Sequence, residues 1–481
     1  MLTGFTIDSV IPWSVAPQQS RPPLRRTTDI VTNKNISVNR GRIGVTKQHY
    51  SSHPKTEMQL KRILKKVTKY KGFVFTNVEC RHEGTADEFI SVTIEPRKGS
   101  RGICPECNKP CPTYDTEQTP RWFQFVDMWA IPVWFAYWMR RIECREHGIR
   151  TEKVPWSNGK SNMTTELMQF LANWARRLSY TEVATCFGVT YGKVFRSVEG
   201  IVEWGLQHRV LEGMASIGVD EICYRIGRKF ATLVYQIDEG CVRLLHVSFG
   251  RTEKSLIRFF VMLNKGTVGL AKRSLKIEFV CSDMWKPYLN VIAKWCGNAL
   301  NILDRFHIKK HLNEAVDQTR RDTVKKLKER GKEQVLTKSR FLFLKNVANL
   351  TAKQSVRLSE LLGLNLPIIR AYLMQEDFER FWDYRRGYWA GRFLDEWCVR
   401  AMRSKIEPMK KFVRMVRRHQ ELLMNWFRSE GLSSGMVEGF NNKVKRTARK
   451  AYGFQSFESL KTTLFHALGR LPEPKATHRS W

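Results

Sequence analysis

Three acids pose the chemical question. Asp220 stands in the run SIGVDE, Asp283 in FVCSDM, and Glu438 is the one acid in GLSSGMVEGFNNKVKRTARK, which holds five Lys or Arg. An apolar strand that ends on an aspartate lifts a carboxylate out of the edge of its sheet. Two such aspartates on neighbouring strands, with a glutamate from a helix beside them, would form an all-oxygen site for two Mg²⁺ ions about 3.5–4 Å apart. Attack on a phosphodiester calls for this arrangement: one metal activates the nucleophile and the other stabilises the leaving 3′ oxygen. Carboxylates suit the task because they offset two divalent cations, whereas Lys and Arg would expel the metals and can hold the phosphate backbone alongside. Taken singly, an Asp at a strand end more often caps a turn. Asp304 in LDRFH follows another apolar strand; it either joins the acids at the sheet edge or works with His307 to cap and orient the next helix.

The elements that must position these acids are legible. From Met214, three β-branched runs separated by tight-turn residues predict an antiparallel meander, with Asp220 at the end of its first strand. TEKSLIRFFVMLNK reads as a helix, LKIEFVCSDM as a strand, KPYLNVIAKWCG as a helix and ALNILDRF as a strand. The order β-β-β-α-β-α-β predicts a mixed sheet with helices packed on it. From His307 to about Glu430 nearly everything is a helix former with apolar spacings of three and four. If the chain is helical from about Ser434, Asn441, Asn442 and Lys445 share a face with Glu438.

Two further constellations precede the sheet. CPEC supplies Cys104 and Cys107, and CREH supplies Cys144 and His147, which is tetrahedral zinc spacing. Cys111 is the alternative fourth ligand, with Cys80 and His82 as outsiders. The zinc would be structural, within a small β-rich module over Gly72–Pro155. From Met163 the period becomes helical, and SYTEVATCFGVTYGKVFRSVEG fits helix, turn at Gly188, then a recognition helix from about Thr190 to Glu199. Thr190, Tyr191, Lys193 and Arg196 would then reach the major groove or its phosphates.

With 82 Lys+Arg against 46 Asp+Glu in 481 residues, the formal charge is +36, so a polyanion is the expected partner. No apolar run approaches the length of a membrane span; Trp129–Met139 is too short, holds Pro132 and reads as a buried strand. Eleven scattered cysteines argue for a reducing compartment. The length predicts two to four domains, each with its own core.

SIGVDE, FVCSDMWKPY, NILDRFHIKKHLNEAVDQTR and SSGMVEGFNNKVKRTARKAYGFQSFE, in this order, resemble the ISL3 family of bacterial insertion-sequence transposases over about residues 58–470. The resemblance implies an α+β multidomain chain: a disordered extension over 1–57, a zinc ribbon over 58–160 and a helix-turn-helix domain over 161–210. An RNase H-like catalytic domain follows in two parts, 211–308 and 431–470, around an all-helical insertion at 309–430, with a basic tail at 471–481. It places the DDE acids on Asp220, Asp283 and Glu438, with Asp304 in a further family motif. Two catalytic Mg²⁺ ions, replaceable by Mn²⁺, and a structural Zn²⁺ are the implied cofactors. Lys443, Lys445 and Arg446 would hold DNA beside the metals. The implied activity is binding of terminal inverted repeats, hydrolytic cleavage of the ends and joining of the 3′-OH to target DNA, by a homodimer or larger assembly in the bacterial cytoplasm, at the nucleoid. Two alternatives stand beside it: a DNA-binding regulator with an inactive catalytic domain, and a nuclease without strand transfer.

Overall fold

A computed structural model describes residues 54–474, apart from 226, 228, 268–271, 346–348, 365, 430–433, 452 and 455. The extension expected over 1–57 therefore lies outside the described residues up to His53. Pro54 to Glu57 already belong to the first helix, α1 (Pro54–Val67).

Nine short strands follow: β1 (Phe73–Arg81), β2 (Phe89–Pro96), β3 (Gly102–Ile103), β4 (Pro110–Cys111), β5 (Thr113–Thr116), β6 (Arg121–Gln124), β7 (Val133–Tyr137), β8 (Arg140–Cys144) and β9 (Gly148–Thr151). Strands β1-β2-β7-β6 form a four-stranded sheet, β5-β8-β9 a three-stranded one, and β3-β4 a small hairpin. Aromatic alternation drives the larger sheet: Phe123, Phe135, Tyr137 and Trp156 are all but fully buried in one cluster, with Trp156 edge-on to Tyr137 at 5.1 Å. The expected strand at Trp129–Met139 is shorter, because Trp129 and Ala130 adopt positive φ in a tight turn. Between the two sheets, Arg140 and Glu152 make a buried ion pair at 2.6 Å, and Tyr137 donates its hydroxyl to the same carboxylate.

Three capped helices come next: α2 (Thr165–Ala175), α3 (Tyr180–Cys186) and α4 (Tyr191–His208). Thr164, Ser179 and Thr190 cap them, Ser179 with a reciprocal bond from Glu182. Between α3 and α4 the chain turns at Gly188, whose φ of 57° lies in the left-handed region that favours glycine.

The central sheet contains β10 (Ser216–Arg225), β11 (Lys229–Asp238), β12 (Cys241–Phe249), β13 (Phe279–Ser282) and β14 (Leu300–Leu303) in the order β12-β11-β10-β13-β14. The first three are antiparallel, and β10, β13 and β14 run parallel. Each parallel crossover is a helix, α5 (Glu253–Leu263) before β13 and α6 (Lys286–Trp295) before β14. These helices cover one face through Phe259, Phe260, Tyr288 and Ile292.

Beyond β14, a helical block comprises α7 (Arg305–Lys328), α8 (Arg340–Leu344), α9 (Ala352–Leu362), α10 (Pro367–Glu379), α11 (Gly387–Arg403), α12 (Glu407–Arg418) and α13 (Gln420–Arg428). Its core holds Phe378, Phe381 and Trp397 and reaches Leu303 at the end of β14, while Asn425 of α13 donates to the Asn301 carbonyl at 2.8 Å. The chain then returns through α14 (Ser434–Lys450) and α15 (Phe457–Leu468) to the other face of the sheet. Val437, Phe440 and Val444 of α14 share one core with α2–α4 and with Leu233, Tyr235 and Cys281 of the sheet. Helices α2–α4 pack on one another and on α15, and the core they form runs on into the sheet. The described residues from Pro54 onward hold together as one unit.

Candidate active site

The parallel register builds the site. Val219 of β10 pairs with Ser282 of β13, which pairs with Leu303 of β14. The next residue on each strand is Asp220, Asp283 and Asp304, so three carboxylates stand in one row across three adjacent strands. Asp283 and Asp304 directly follow their strands, but Asp220 does not end β10, as the sequence suggested. It is the fifth of ten residues, because the antiparallel pairing with β11 runs on past the point where β13 stops.

Each aspartate is anchored through one oxygen to a backbone N–H just downstream: Asp220 Oδ1 accepts from Glu221 at 2.7 Å, Asp283 Oδ1 from Trp285 at 2.9 Å, and Asp304 Oδ1 from Phe306 at 2.9 Å. Asp304 is buried and caps α7, and its other oxygen meets His307 Nδ1 at 3.1 Å. Both readings of Asp304, sheet-edge acid and helix cap, therefore hold at once. The second oxygens of Asp220 and Asp283 accept no hydrogen bond among the described residues.

The electrostatics are those of crowded, desolvated acids with His307 as their nearest basic neighbour. Burial pushes the Asp220 carboxyl up to about 7, only partly opposed by nearby His307. Burial likewise raises Asp283 above the usual carboxylate range. At His307 burial favours the neutral ring, but the bond to Asp304 and the charges of Asp220 and Asp283 outweigh it and raise its pKa. The all-oxygen donor set, crowded and desolvated, fits divalent magnesium.

Helix α14 closes the site from the side. Val437, Phe440 and Val444 form its buried stripe, and Glu438, Asn441 and Lys445 occupy the adjoining row. Phe440 stacks on Tyr235 at 4.3 Å, and the Asn441 side chain approaches the Tyr235 hydroxyl without reaching good hydrogen-bond geometry. Tyr235 in turn lies over Gly218, where a Cβ would meet the ring at 2.2 Å, so the strand that carries Asp220 needs glycine there. At the other end of the row, the Lys445 ammonium lies 6.0 Å from the Phe306 ring, beside Asp304. The Glu438 backbone begins this row; its side chain lies outside the described residues. Lys443, Lys445 and Arg446 are exposed.

Sequence reasoning missed three neighbours. Glu221, next to Asp220, is partly buried, is raised by its burial and by Asp283, and meets Arg251 at 3.5 Å. The Arg251 guanidinium lies over the rings of Phe230 at 4.3 Å and Trp285 at 4.8 Å. Adjacency within SIGVDE was the available signal for Glu221; nothing local pairs Arg251 with Trp285.

In the N-terminal module, one donor atom from each of Cys104, Cys107, Cys144 and His147 lies within 4.8 Å of the others. Distances of 3.5 Å from Cys144 Sγ to His147 Nδ1, 3.7 Å between Cys107 and Cys144, and 3.8 Å from Cys104 to His147 match the edges, about 3.8 Å, of a tetrahedron built on 2.3 Å metal–sulfur bonds. Glu106 Oε2 sits 3.5 Å from His147 Nε2, the carboxylate support typical of a histidine ligand. Both knuckles turn through a left-handed residue just after their second donor, Asn108 at φ 57° and Gly148 at φ 68°. Cys111 packs beside Cys104 and Cys144 with its thiol toward the Lys109 carbonyl at 3.5 Å, a neighbour of the four donors and not one of them, while Cys80 bonds Glu88 and exposed His82 lies 6.0 Å from the Phe89 ring.

On α4, Tyr191 and Arg196 are exposed, while the Thr190 hydroxyl is spent on its capping bond to Lys193 N. Lys193, expected to reach the groove or its phosphates, is partly buried. Its ammonium donates to Gln124 at 2.7 Å and lies over Trp134, fastening α4 to the β-rich module. A groove of about 730 Å³ joins Tyr180, Tyr191 and Tyr224 to Thr447 and Lys450 of α14.

Residues 217–464 match the family model of ISL3-type DDE transposases, described as "Transposase". That span covers more than half of the chain and contains all four acids. The chain belongs to the ISL3 transposase family. It is also similar to the transposase for insertion sequence element IS1001 of Bordetella parapertussis, 26% identical over 359 residues, 74% of this chain and 86% of that one. The transposase for IS1557 of Mycobacterium tuberculosis is 25% identical over 415 residues, 80% and 90% of the two chains. Membership makes the activity of this ISL3 transposase DNA transposition, with divalent metals as the general requirement of DDE chemistry. Among the described residues, no helix is long and apolar enough to cross a membrane.

Proposed function

We propose that the ISL3 transposase binds the terminal inverted repeats of its insertion sequence, cleaves each end by metal-dependent hydrolysis and joins the freed 3′-OH to target DNA. The row Asp220, Asp283, Asp304, set by the parallel register of three strands, is the observation that carries this reading. Asp220, Asp283 and Glu438 would together hold two Mg²⁺ ions; Mn²⁺ would serve in their place. When bound, the metals supply Lewis-acid activation of the attacking oxygen and stabilisation of the leaving one.

The protein's own groups do the rest. Asp304 orients the start of α7 and holds His307 against the acids. Lys445, kept near Phe306, and exposed Lys443 and Arg446 offer cations to the phosphates on either side of the cleaved bond. The β-rich module acts as a zinc ribbon on Cys104, Cys107, Cys144 and His147, and α2–α4 as a helix-turn-helix unit with Tyr191 and Arg196 toward DNA. The sheet then serves as an RNase H-like catalytic domain, with the helical block as its insertion. Because two ends are processed together, a homodimer or larger assembly on DNA is expected, in the cytoplasm at the nucleoid.

The test incubates the full-length protein and Mg²⁺ with DNA carrying the flanking inverted repeats, wild type beside Asp220→Asn and Glu438→Gln. Both variants should bind the ends and fail to cut them, while wild type also joins pre-cleaved ends to a target plasmid. A fully active Glu438→Gln would remove Glu438 from the triad. Cleavage without any joined product would make the protein a nuclease, and binding without cleavage a regulator.

A further inference from the structure

The opening of α11 presents a surface that the acids do not use. Tyr388 is 74% and Trp389 49% exposed, their rings edge-to-face at 5.1 Å, and Arg385 and Arg386 just before them are exposed as well. The helix buries a different side, Ala390, Phe393, Leu394 and Trp397. Its ion pairs lie farther along, where Arg392 meets Glu396 and Arg400 meets Asp377. Two cations and two large rings are thus left to solvent at one spot.

That spot is tied to the catalytic elements. Trp382, in the turn that leads into α11, lies under the guanidinium of Arg305 at 5.1 Å, and Arg305 directly follows Asp304. Trp382 also meets Trp426 of α13 at 5.5 Å, and Gly387 packs on Phe427. The patch is therefore held by the start of α7, directly after Asp304, and by the end of α13, which leads toward α14.

Exposed rings among arginines suit one ligand class. Bases of unpaired DNA stack on Tyr and Trp, and guanidinium groups pair with the phosphates between them. A second copy docking there through a two-fold axis would face four arginines toward one another, which disfavours self-association. We propose that Tyr388 and Trp389, flanked by Arg385 and Arg386, hold unpaired bases of the DNA strand being processed. This rests on the transposase acting directly on DNA ends.

The test uses full-length protein without Mg²⁺, titrated against a labelled oligothymidylate of about 15 nucleotides and against duplex terminal repeat. Wild type is compared with Tyr388→Ala/Trp389→Ala and with Tyr388→Phe/Trp389→Phe. The alanine pair should weaken single-strand binding about tenfold or more and change duplex binding less than about twofold, with the phenylalanine pair near wild type. 2-Aminopurine placed within the oligothymidylate should be quenched on binding to wild type, where it stacks on the two rings, and stay brighter with the alanine pair. Unchanged single-strand affinity, or an equal loss on both DNAs, overturns the proposal. So does a fall in oligomeric mass with single-strand affinity intact, which would mark a protein interface. A wild type that binds neither DNA overturns the end-binding reading as well, whereas normal wild-type binding of the duplex repeat with no effect of the alanine pair on the single strand overturns only this one.

Discussion

Asp220 should weaken the fold that it equips for catalysis. Its carboxyl is pushed up to about 7 in the folded, metal-free protein by burial, against about 3.9 in an unfolded chain. The folded state therefore holds a proton that the unfolded state has lost between those values, so stability declines as pH rises from about 4 to about 7. Three pH units at about 1.4 kcal/mol each set an upper bound near 4 kcal/mol, and partial solvent contact at Asp220 lowers it to about 2–3 kcal/mol. Asn keeps an oxygen for the Glu221 N–H and carries no charge to desolvate. Asp220→Asn should consequently melt higher than wild type, by several degrees in EDTA at pH 8, and with a much smaller gain at pH 5. Mg²⁺ should raise the melting temperature of wild type and leave Asp220→Asn nearly unmoved, while end cleavage is lost. Thermal melts at the two pH values, with and without Mg²⁺, measure all of this. A variant no more stable than wild type at pH 8, or equally stabilised at both pH values, would refute the desolvation argument.

Metal analysis should find one zinc per chain in wild type; Cys107→Ser should lose it and destabilise the β-rich module, and Cys111→Ser should keep it. Glu152→Gln leaves Arg140 buried without its partner and should cost about 3–5 kcal/mol in urea unfolding, unlike exposed pairs such as Arg392–Glu396. Burial holds His246 down at about 4 and His466 at about 3, so the unfolded chain takes up their protons first. Their contribution is intact above about pH 6.5 and erodes as pH falls toward 4, by up to about 1.4 kcal/mol per histidine per unit. Urea midpoints at pH 7 and 4.5 measure this, and His466→Leu should flatten the difference.

The Cys-x2-Cys and Cys-x2-His spacings, the element order from Met214 to Asp304, and the helical period after His307 were all legible, because each depends on residues close together in the chain. Runs such as FVCSD and NILD announced aspartates at strand ends for the same reason. Which strands lie side by side was not legible, and the row of three carboxylates exists only because β10, β13 and β14 pair in one parallel register. The same pairing decided that Asp220 sits inside a strand, since β11 continues past the end of β13. Nothing near Lys193 in the chain announced that its ammonium meets Gln124 and Trp134 of the β-rich module; packing decided that contact. Sequence by itself determined which groups are available and what chemistry they permit, through residue type and local period. Tertiary structure decided which of them meet, because strand register, burial and the long return of α14 to the sheet join residues that the chain holds far apart.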